Sequence, residues 1–459
     1  MARLEDIMFR KLDLWIVGLL MVLGALATIA FGALVYDNIE GSGRSGLIGK
    51  TAVLVAKSPW TLKEVMSEDL RAMTVEPNRF KGSGGWHIEP GAQTGALPGY
   101  VLLSRHDGDR RRHVVEMFRL SDLSLVYRWQ LDVEQLLADA RRDWTWMDYT
   151  SWRHEAWRAI HPLLLNNGDL IVKDHYSPLL RVTPCGERVW IKQDVHYHHS
   201  TEPDGEGAFW IPTLATPSML PGTKEWFLED TLTRMTSEGE ILFRRSLVQT
   251  LIDHGLYHRI FAAMGFYAND PLHLNDIQPV LEDGPYWRRG DLFLSLRRYS
   301  TLLLYRPSTD EILWAKEGPW IAQHDVDIVD DHRIAVFSNN AIDTGTGPRV
   351  RDVSEVLFYD FATDAVTSPF RDAMVRESVR TLTEGLADLL PSGHLMLEEQ
   401  NAGRLLLFSL TGELVASYIN HDSDGRGFQL GWSRYIPQTL GATAAATLKR
   451  RVCETFPAE

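Results

Sequence analysis

The chain has 459 residues and a formal net charge of −14, from 47 Lys and Arg against 61 Asp and Glu. That length suits two or three ordinary domains or one large repeat architecture, and that charge disfavours nucleic acid, whose phosphates need a basic surface. Apolar residues at 44% exclude a disordered chain, and two cysteines, Cys185 and Cys453, exclude a disulfide-dense scaffold and any multi-cysteine metal site. The 15 Trp and 35 Gly point instead to an all-β protein of short strands and many turns.

The first predicted element is residues 14–36, LWIVGLLMVLGALATIAFGALVY, uninterrupted by charge. A helix of this length crosses a hydrocarbon core of ~30 Å. Asp13 and Asp37 bracket it, and Trp15 and Tyr36 stand where interfacial aromatics stand. Ala25-Leu26-Ala27 fits a signal cleavage site, but the apolar run continues past it, so an uncleaved anchor is preferred. Arg3, Arg10 and Lys11 before the span balance Arg44, Lys50 and Lys57 after it. A short leading tail that stays inside then puts the bulk of the chain on the periplasmic or extracellular side of an inner membrane. In such an oxidising compartment Cys185 and Cys453 could pair; two free thiols fit the sequence equally well.

This reading divides the chain into a cytoplasmic tail (1–13), an anchor (14–36), a linker with a short helical segment (37–98), a repeat region (99–437) and a C-terminal tail (438–459). Within 37–98, residues 39–49 read as Gly/Ser linker, 52–71 as helical and 80–99 as loop.

From residue 99 short apolar strands recur between Gly, Asp and Asn turns. One unit, 161–190, reads HPLLLNNGDLIVKDHYSPLLRVTPCGERVW, with the Asn-Gly turn of a tight hairpin. The plan returns at 386–419 and more loosely at 198–243, 273–314, 323–370 and 99–129. Six units of about four strands predict a six-bladed β-propeller preceded by one transmembrane helix. Residues 219–230 and 247–270 read as loops between strands, and 368–383 includes a helix.

Several histidines open these units: His198 and His199, His273, and His324. The first strand of each propeller blade lines the central channel, so equivalent positions converge on the axis. Arg297, on the strand after that of His273, points to the same mouth. Imidazoles with a guanidinium could ligate a metal, hold a tetrahedral oxyanion, or combine a nucleophile with anion stabilisation. The arginine argues against a plain metal site and for an oxyanion. His198 and His199 alternate on a strand, so one of them faces the channel, and His199 is preferred; Arg298 competes with Arg297 in the same way.

The stretches HPLLLNNGDLIV with TPCGERVW, YHHSTEPDGEG, LHLNDIQ, GDLFLSLRRYS with STDEILW, QHDVDIV and EGLADLLPSGHLMLEEQNAGRLLLFSLTGEL occur in order. In this order and spacing the chain resembles the bacterial arylsulfate sulfotransferase family, over residues 152–437. The resemblance implies a propeller enzyme that moves a sulfuryl group from an aryl sulfate donor to a phenolic or other hydroxyl acceptor through a sulfohistidine, without metal, nucleotide or other cofactor. It implies His324 as the nucleophile, Arg297, His273 and His199 as partners holding the sulfuryl oxygens, and Asn275 in a His-x-Asn context, with His198 and Arg298 beside the substrate. The pair His198-His199 departs from the family pattern in being followed by Ser200 rather than an acidic residue. A non-catalytic, membrane-anchored propeller serving as a scaffold for an envelope partner or a second copy is the competing reading.

Overall fold

The computed structural model describes residues 13–39, 44–66, 73–75, 78–80, 82, 84–92, 94–142, 149–215, 217–224, 227–262, 268–451 and 453. The expected cytoplasmic tail, apart from Asp13, lies outside them, as does the end of the expected helical segment at 67–71. The chain divides into two units, Met1–Arg71 and Ala72–Glu459.

In the first unit, α1 (Leu14–Ile39) runs three residues beyond the expected anchor, and α2 (Gly46–Met66) begins inside the expected Gly/Ser linker. Asp37 joins the two by accepting hydrogen bonds from the Ser45 amide at 2.8 Å and its hydroxyl at 2.6 Å. α1 contains an 18-residue stretch of mean hydropathy 2.5 and buries no residue. Its length and composition suit a membrane span or a signal sequence.

The second unit is built of antiparallel strands. It opens with β1 (Gly85–Ile88), which falls in the stretch expected to be loop. β2 (Tyr100–Asp107), β3 (Arg112–Arg119) and β4 (Ser124–Gln130) follow, then the short helix α3 (Val133–Leu136). Next come β5 (Leu163–Leu164), β6 (Leu170–Val172), β7 (Ser177–Val182) and β8 (Arg188–Tyr197). β9 (Glu202–Pro203), β10 (Ala208–Ala215), β11 (Glu229–Thr236) and β12 (Ile241–Ser246) lead into α4 (Leu247–Asp253) and α5 (Tyr257–Phe261), two helices in a stretch read as loop. β13 (Leu274–Pro279), β14 (Leu292–Leu296), β15 (Thr301–Arg306) and β16 (Glu311–Glu317) make the next group. β17 (Val326–Ile328), β18 (Arg333–Ser338), the hairpin β19 (Ala341–Asp343) and β20 (Pro348–Val350), β21 (Glu355–Asp360) and β22 (Ala365–Thr367) precede α6 (Arg371–Arg376), the helix expected there. β23 (Leu386–Leu389), β24 (Leu395–Glu399), β25 (Arg404–Phe408), β26 (Leu414–Ile419), β27 (Arg434–Ile436) and α7 (Gln438–Leu448) complete it.

The arrangement is propeller-like. Three four-stranded sheets have the orders β27-β2-β3-β4, β13-β14-β15-β16 and β17-β18-β21-β22. A fourth, β23 to β26, gains β1 on its outer edge. β5 to β8 and β10 to β12, with β9 beside β10, are joined into one eight-stranded sheet only by Tyr197 opposite Thr213 and His196 opposite Leu214. Closure is made by β27, from the far end of the chain, pairing with β2 at Arg434–Leu102, Tyr435–Val101 and Ile436–Tyr100. The supposed C-terminal tail is thus tied in: Gly441, Ala444, Ala445 and Leu448 of α7 are buried. A Cβ at position 441 would stand 2.1 Å from the Tyr100 ring, so only glycine lets the helix approach the sheet this closely there. Lys449, Arg450 and Arg451 are exposed, as expected for a solvated patch.

Apolar side chains of successive sheets pack against each other. Leu102, Val115 and Met117 meet Leu170, Val172 and Leu180, whereas Phe293 and Leu304 meet Ile334 and Val336. Trp129, Trp157, Trp320 and Trp432 are wholly buried at such junctions, the role anticipated for the tryptophan excess.

A second set of bonds runs around the axis. The Ile277 amide donates to Ser200 Oγ at 3.2 Å, the Val326 amide to Asp276 Oδ2 at 3.2 Å, and the Ala387 amide to Asp325 Oδ2 at 2.9 Å. Arg434 Nε donates to the Pro162 carbonyl at 3.1 Å, and the Thr201 amide to His161 Nδ1 at 3.3 Å. Each bond joins the innermost strand of one group, or the turn leading into it, to that of the next. Burial, then the Glu202 carboxylate, pushes Asp276 up to about 8.

Cys185 and Cys453 form a disulfide, with Cα atoms 5.4 Å apart across 268 residues. It ties the segment beyond α7 to the β7–β8 turn, where Gly186 (φ +75°) leaves no room for a Cβ against the Gln130 carbonyl. Cys453→Ser is expected to lower unfolding free energy by about 2–5 kcal/mol in a non-reducing urea titration. Asp276→Asn gives a second prediction. The folded protein keeps the Asp276 proton to about pH 8, whereas the unfolded chain releases it near ~3.9. Stability contributed there is lost as pH rises through that window. Asn keeps an oxygen for the Val326 amide and does not ionise. The variant's Tm should match the parent's near pH 4 and exceed it increasingly up to pH 8.

Candidate active site

Each strand group is entered through a non-glycine residue held in the left-handed region: His161 (φ +47°), His199 (+48°), His273 (+55°), Ala322 (+51°), Glu384 (+57°) and Trp432 (+63°). Such a backbone costs of order 1–2 kcal/mol per residue, so surrounding contacts must hold it. The turn breaks strand alternation and turns the side chain at or beside it towards its counterparts in other sheets.

His199 is the hub. Its ring lies 4.4 Å from that of His175, 5.1 Å from His198, 5.1 Å from His273, 6.3 Å from His324 and 6.3 Å from Trp432, centroid to centroid. His199, His273 and His324 are therefore brought together, as the sequence predicts. The fully buried Lys173 holds the His199 backbone, its ammonium donating to the His199 carbonyl and, at 3.1 Å, to that of Ile160.

His198 corrects the expectation that only one of the pair faces inward. β8 ends at Tyr197, His199 is left-handed, and the two rings meet Nδ1 to Nδ1 at 2.8 Å. The far side of His198, Nε2, lies 3.4 Å from Asp230. Arg298 is also corrected. Arg297 and Arg298 lie not on a strand but in a turn of 3-10 helix after β14, and Arg298 donates to the Asp270 carbonyl at 3.0 Å. It braces the loop that carries His273, whose Nδ1 is bonded to the Asp270 carboxylate.

Arg297 is paired through its backbone amide to the His273 carbonyl at 3.1 Å. Its Nε is buried without a partner, and among the described residues its guanidinium makes no ion pair. Burial, then Arg298, pushes it below the ordinary arginine value. A partly desolvated cation with open donors is the physical requirement for an oxyanion site.

His324 is 1% exposed. Its Nδ1 donates to Asn339 Oδ1 at 2.6 Å, which fixes the tautomer and leaves the Nε2 lone pair; that lone pair accepts the Glu384 amide at 3.0 Å. Asn339 in turn donates to the Thr381 and Glu384 carbonyls at 3.0 and 2.7 Å. Burial, then Arg297, pushes the His324 imidazole down to about 3, so it is neutral at physiological pH. Asn275 is wholly buried and donates to the Gln323 carbonyl at 2.8 Å, next to His324; its Oδ1 has no partner. Asn275 thus stands beneath the site rather than in it.

The sequence reading missed His175, Glu384, Arg158 and Trp432. His175 Nε2 is 2.7 Å from Glu384 Oε1, and Glu384 Oε2 is 3.0 Å from Arg158 Nη1. Burial alone would raise the Glu384 carboxyl; Arg158 and His175 together outweigh it and hold it well below the usual range. His161, opening its unit as His273 opens another, was signalled by that shared offset; its ring lies 5.2 Å from Trp432. Among the described residues the one group whose atoms converge as metal ligands is Asp330, Asp331 and His332, a partly exposed turn in which Arg333 already pairs Asp330 at 2.6 Å.

A family model for arylsulfotransferase (ASST) matches residues 161–421, more than half of the chain. The protein belongs to the arylsulfotransferase family. No curated protein matches the sequence. Solved structures similar to it include a protein of unknown function from Bacteroides caccae at 10% identity, covering 74% of this chain and 99% of that one with a TM-score of 0.43. A nidogen/laminin complex chain follows at 8% identity, with 74% and 99% coverage and a TM-score of 0.41. The WD40 β-propeller domain of Doa1 has 11% identity, 78% and 98% coverage and a TM-score of 0.37.

In this arylsulfotransferase, Arg297 is a largely desolvated cation with an unpartnered Nε, an arrangement that costs stability. Arg297→Met should keep or raise Tm in the absence of ligand. In the parent, sulfate at a hundredfold excess over its Kd should add about 2.7 kcal/mol of stability, visible as a rise in Tm that the variant lacks.

Proposed function

We propose that this protein is a membrane-anchored sulfotransferase that moves a sulfuryl group from a phenolic sulfate ester to a phenol or other hydroxyl acceptor through a sulfohistidine at His324. The observation that carries the reading is Arg297, a cation that makes no ion pair among the described residues, set among imidazoles of which burial keeps His199 and His324 neutral. A scaffold has no physical use for that arrangement.

The fold supports a ring of six blades. Six apolar clusters fill six successive junctions, and the eight-stranded sheet counts as two blades bridged by one short pairing. On this reading the propeller occupies 85–437, because β1 extends its last blade, and α1 is the single-pass anchor with the propeller on the periplasmic or extracellular side. The disulfide supports an oxidising compartment.

In the first half-reaction His324 Nε2 attacks sulfur in line with the departing aryloxide; the N–S bond forms as the S–O bond breaks. The attack exchanges the Glu384 amide for sulfur on the same lone pair. Charge in such a transfer resides on the peripheral oxygens, where Arg297, His273 and His199 stabilise it. In the second half-reaction the acceptor oxygen attacks sulfur and His324 is released. Asn339 keeps the tautomer through both.

The test uses the full-length protein in detergent with a chromogenic aryl sulfate. Phenol release with an acceptor present, and a sulfuryl group on the peptide that contains His324 after rapid denaturation without one, are expected. His324→Gln should lose both while Tm changes little. Release of phenol by His324→Gln at the parental rate would sink the assignment.

A further inference from the structure

We infer that His175, oriented by Glu384, is the general base of acceptor activation, a role that rests on the sulfohistidine reading above. Three observations carry it.

The first is orientation. Glu384 Oε1 lies 2.7 Å from His175 Nε2, so the imidazole carries its proton there and its free lone pair on Nδ1. Glu384 is itself fixed from the other side by Arg158 at 3.0 Å and by the Gln400 amide. Asp174 completes the frame: its Oδ1 accepts the His175 amide at 2.7 Å, and its Oδ2 accepts the Arg158 amide at 3.2 Å.

The second is the state of Nδ1. It is buried and has no hydrogen-bond partner among the described residues. A buried ring nitrogen left open beside an oriented partner is costly unless a ligand fills the position. The third is place. The His175 ring is 4.4 Å from that of His199, and Glu384 touches the nucleophile directly, its amide 3.0 Å from His324 Nε2. One residue therefore orients the base through its side chain and contacts the nucleophile through its backbone.

The proton balance is simple. As the acceptor oxygen forms its bond to sulfur and the His324 N–S bond breaks, the acceptor's proton passes to His175 Nδ1. The resulting imidazolium is stabilised by Glu384, and the proton leaves with the aryloxide of the next donor. The sum is one sulfate ester and one phenol exchanged for another pair.

Facing His175 are Glu384, Asp174, Arg158, His198, His199 and Tyr176. Burial, opposed by Glu384, lowers His175 below the usual histidine value, which keeps it unprotonated at neutral pH. Glu384 is a positioning residue; its removal takes away the one interaction that raises the imidazole's proton affinity most.

The experiment follows the two half-reactions separately by rapid mixing of the full-length protein. With a nitrophenyl sulfate as donor, whose aryloxide departs without needing a proton, His175→Gln should keep the burst and slow transfer from the sulfo-enzyme to an acceptor by roughly 10²–10⁴-fold. The loss should be largest for weakly acidic acceptors and small for nitrophenols, which arrive ionised. Glu384→Gln should shift the acidic limb of the acceptor step to lower pH. If the His175 variant does not fold, that limb in Glu384→Gln and in the parent decides: an acceptor step with no acidic limb, or one unmoved by Glu384→Gln, overturns the proposal. Equal loss in both half-reactions, or the same loss with every acceptor, overturns it too. Absence of any sulfo-enzyme in the parent contradicts the sulfohistidine reading instead, and the two failures are told apart by the burst.

Discussion

The structure depends on side chains that reach from one innermost strand to the backbone of the next. Asp276 takes the Val326 amide and Asp325 takes that of Ala387, with Ser200 filling the equivalent post for Ile277. A strand at a propeller axis has no neighbour on its inner edge, so its amides would otherwise be buried unpaired, at about 1–3 kcal/mol each. An acceptor on a side chain solves this at these junctions without another strand. The consequence is a set of carboxyls too desolvated to ionise easily, which makes the axis nearly neutral despite its composition.

Above that layer the left-handed entry turns carry the chemistry. Because the turn is the same in each group, its side chains arrive at comparable heights, and His161, His199, His273 and Trp432 meet although hundreds of residues separate them. Arg297 makes no ion pair among the described residues although Asp270 and Glu384 lie near it. The nearby carboxylates are spoken for: Glu384 by Arg158 and His175, and Asp270 by His273. Satisfying the anions around it leaves Arg297 a cation with open donors, in a chain whose overall charge is −14.

Strand periodicity and turn residues made the repeat legible, because blades bury both faces and leave apolar runs between Gly and Asn. The unit boundaries at 161, 198, 273, 323 and 386 fall within a few residues of observed strand groups. Histidines at unit starts were legible for the same reason. His175 was not, since it lies in the β6–β7 turn rather than at a unit start, the place that Arg297 and Gln400 take in the β14–β15 and β24–β25 turns. Nor could sequence anticipate that His198 and His199 would both face inward, because alternation holds only while the backbone stays extended, and φ of +48° at His199 ends it. β1 escaped notice since a four-residue strand has no period to read, and its partner, β26, lies more than three hundred residues away.

The pairing of β27 with β2 also has a meaning in time. β2 is made early and β27 late, so during synthesis the first sheet has an open inner edge until almost the whole chain has emerged. The disulfide to Cys453 waits for the same moment. Such a protein cannot fold stepwise from its beginning; its earliest strands need protection from stray edge pairing until the last ones arrive. Maturation is then a single late event, in which closing the ring, assembling the histidine cluster and oxidising the thiols coincide, and a chain cut short before residue 434 would have most of its residues and no site.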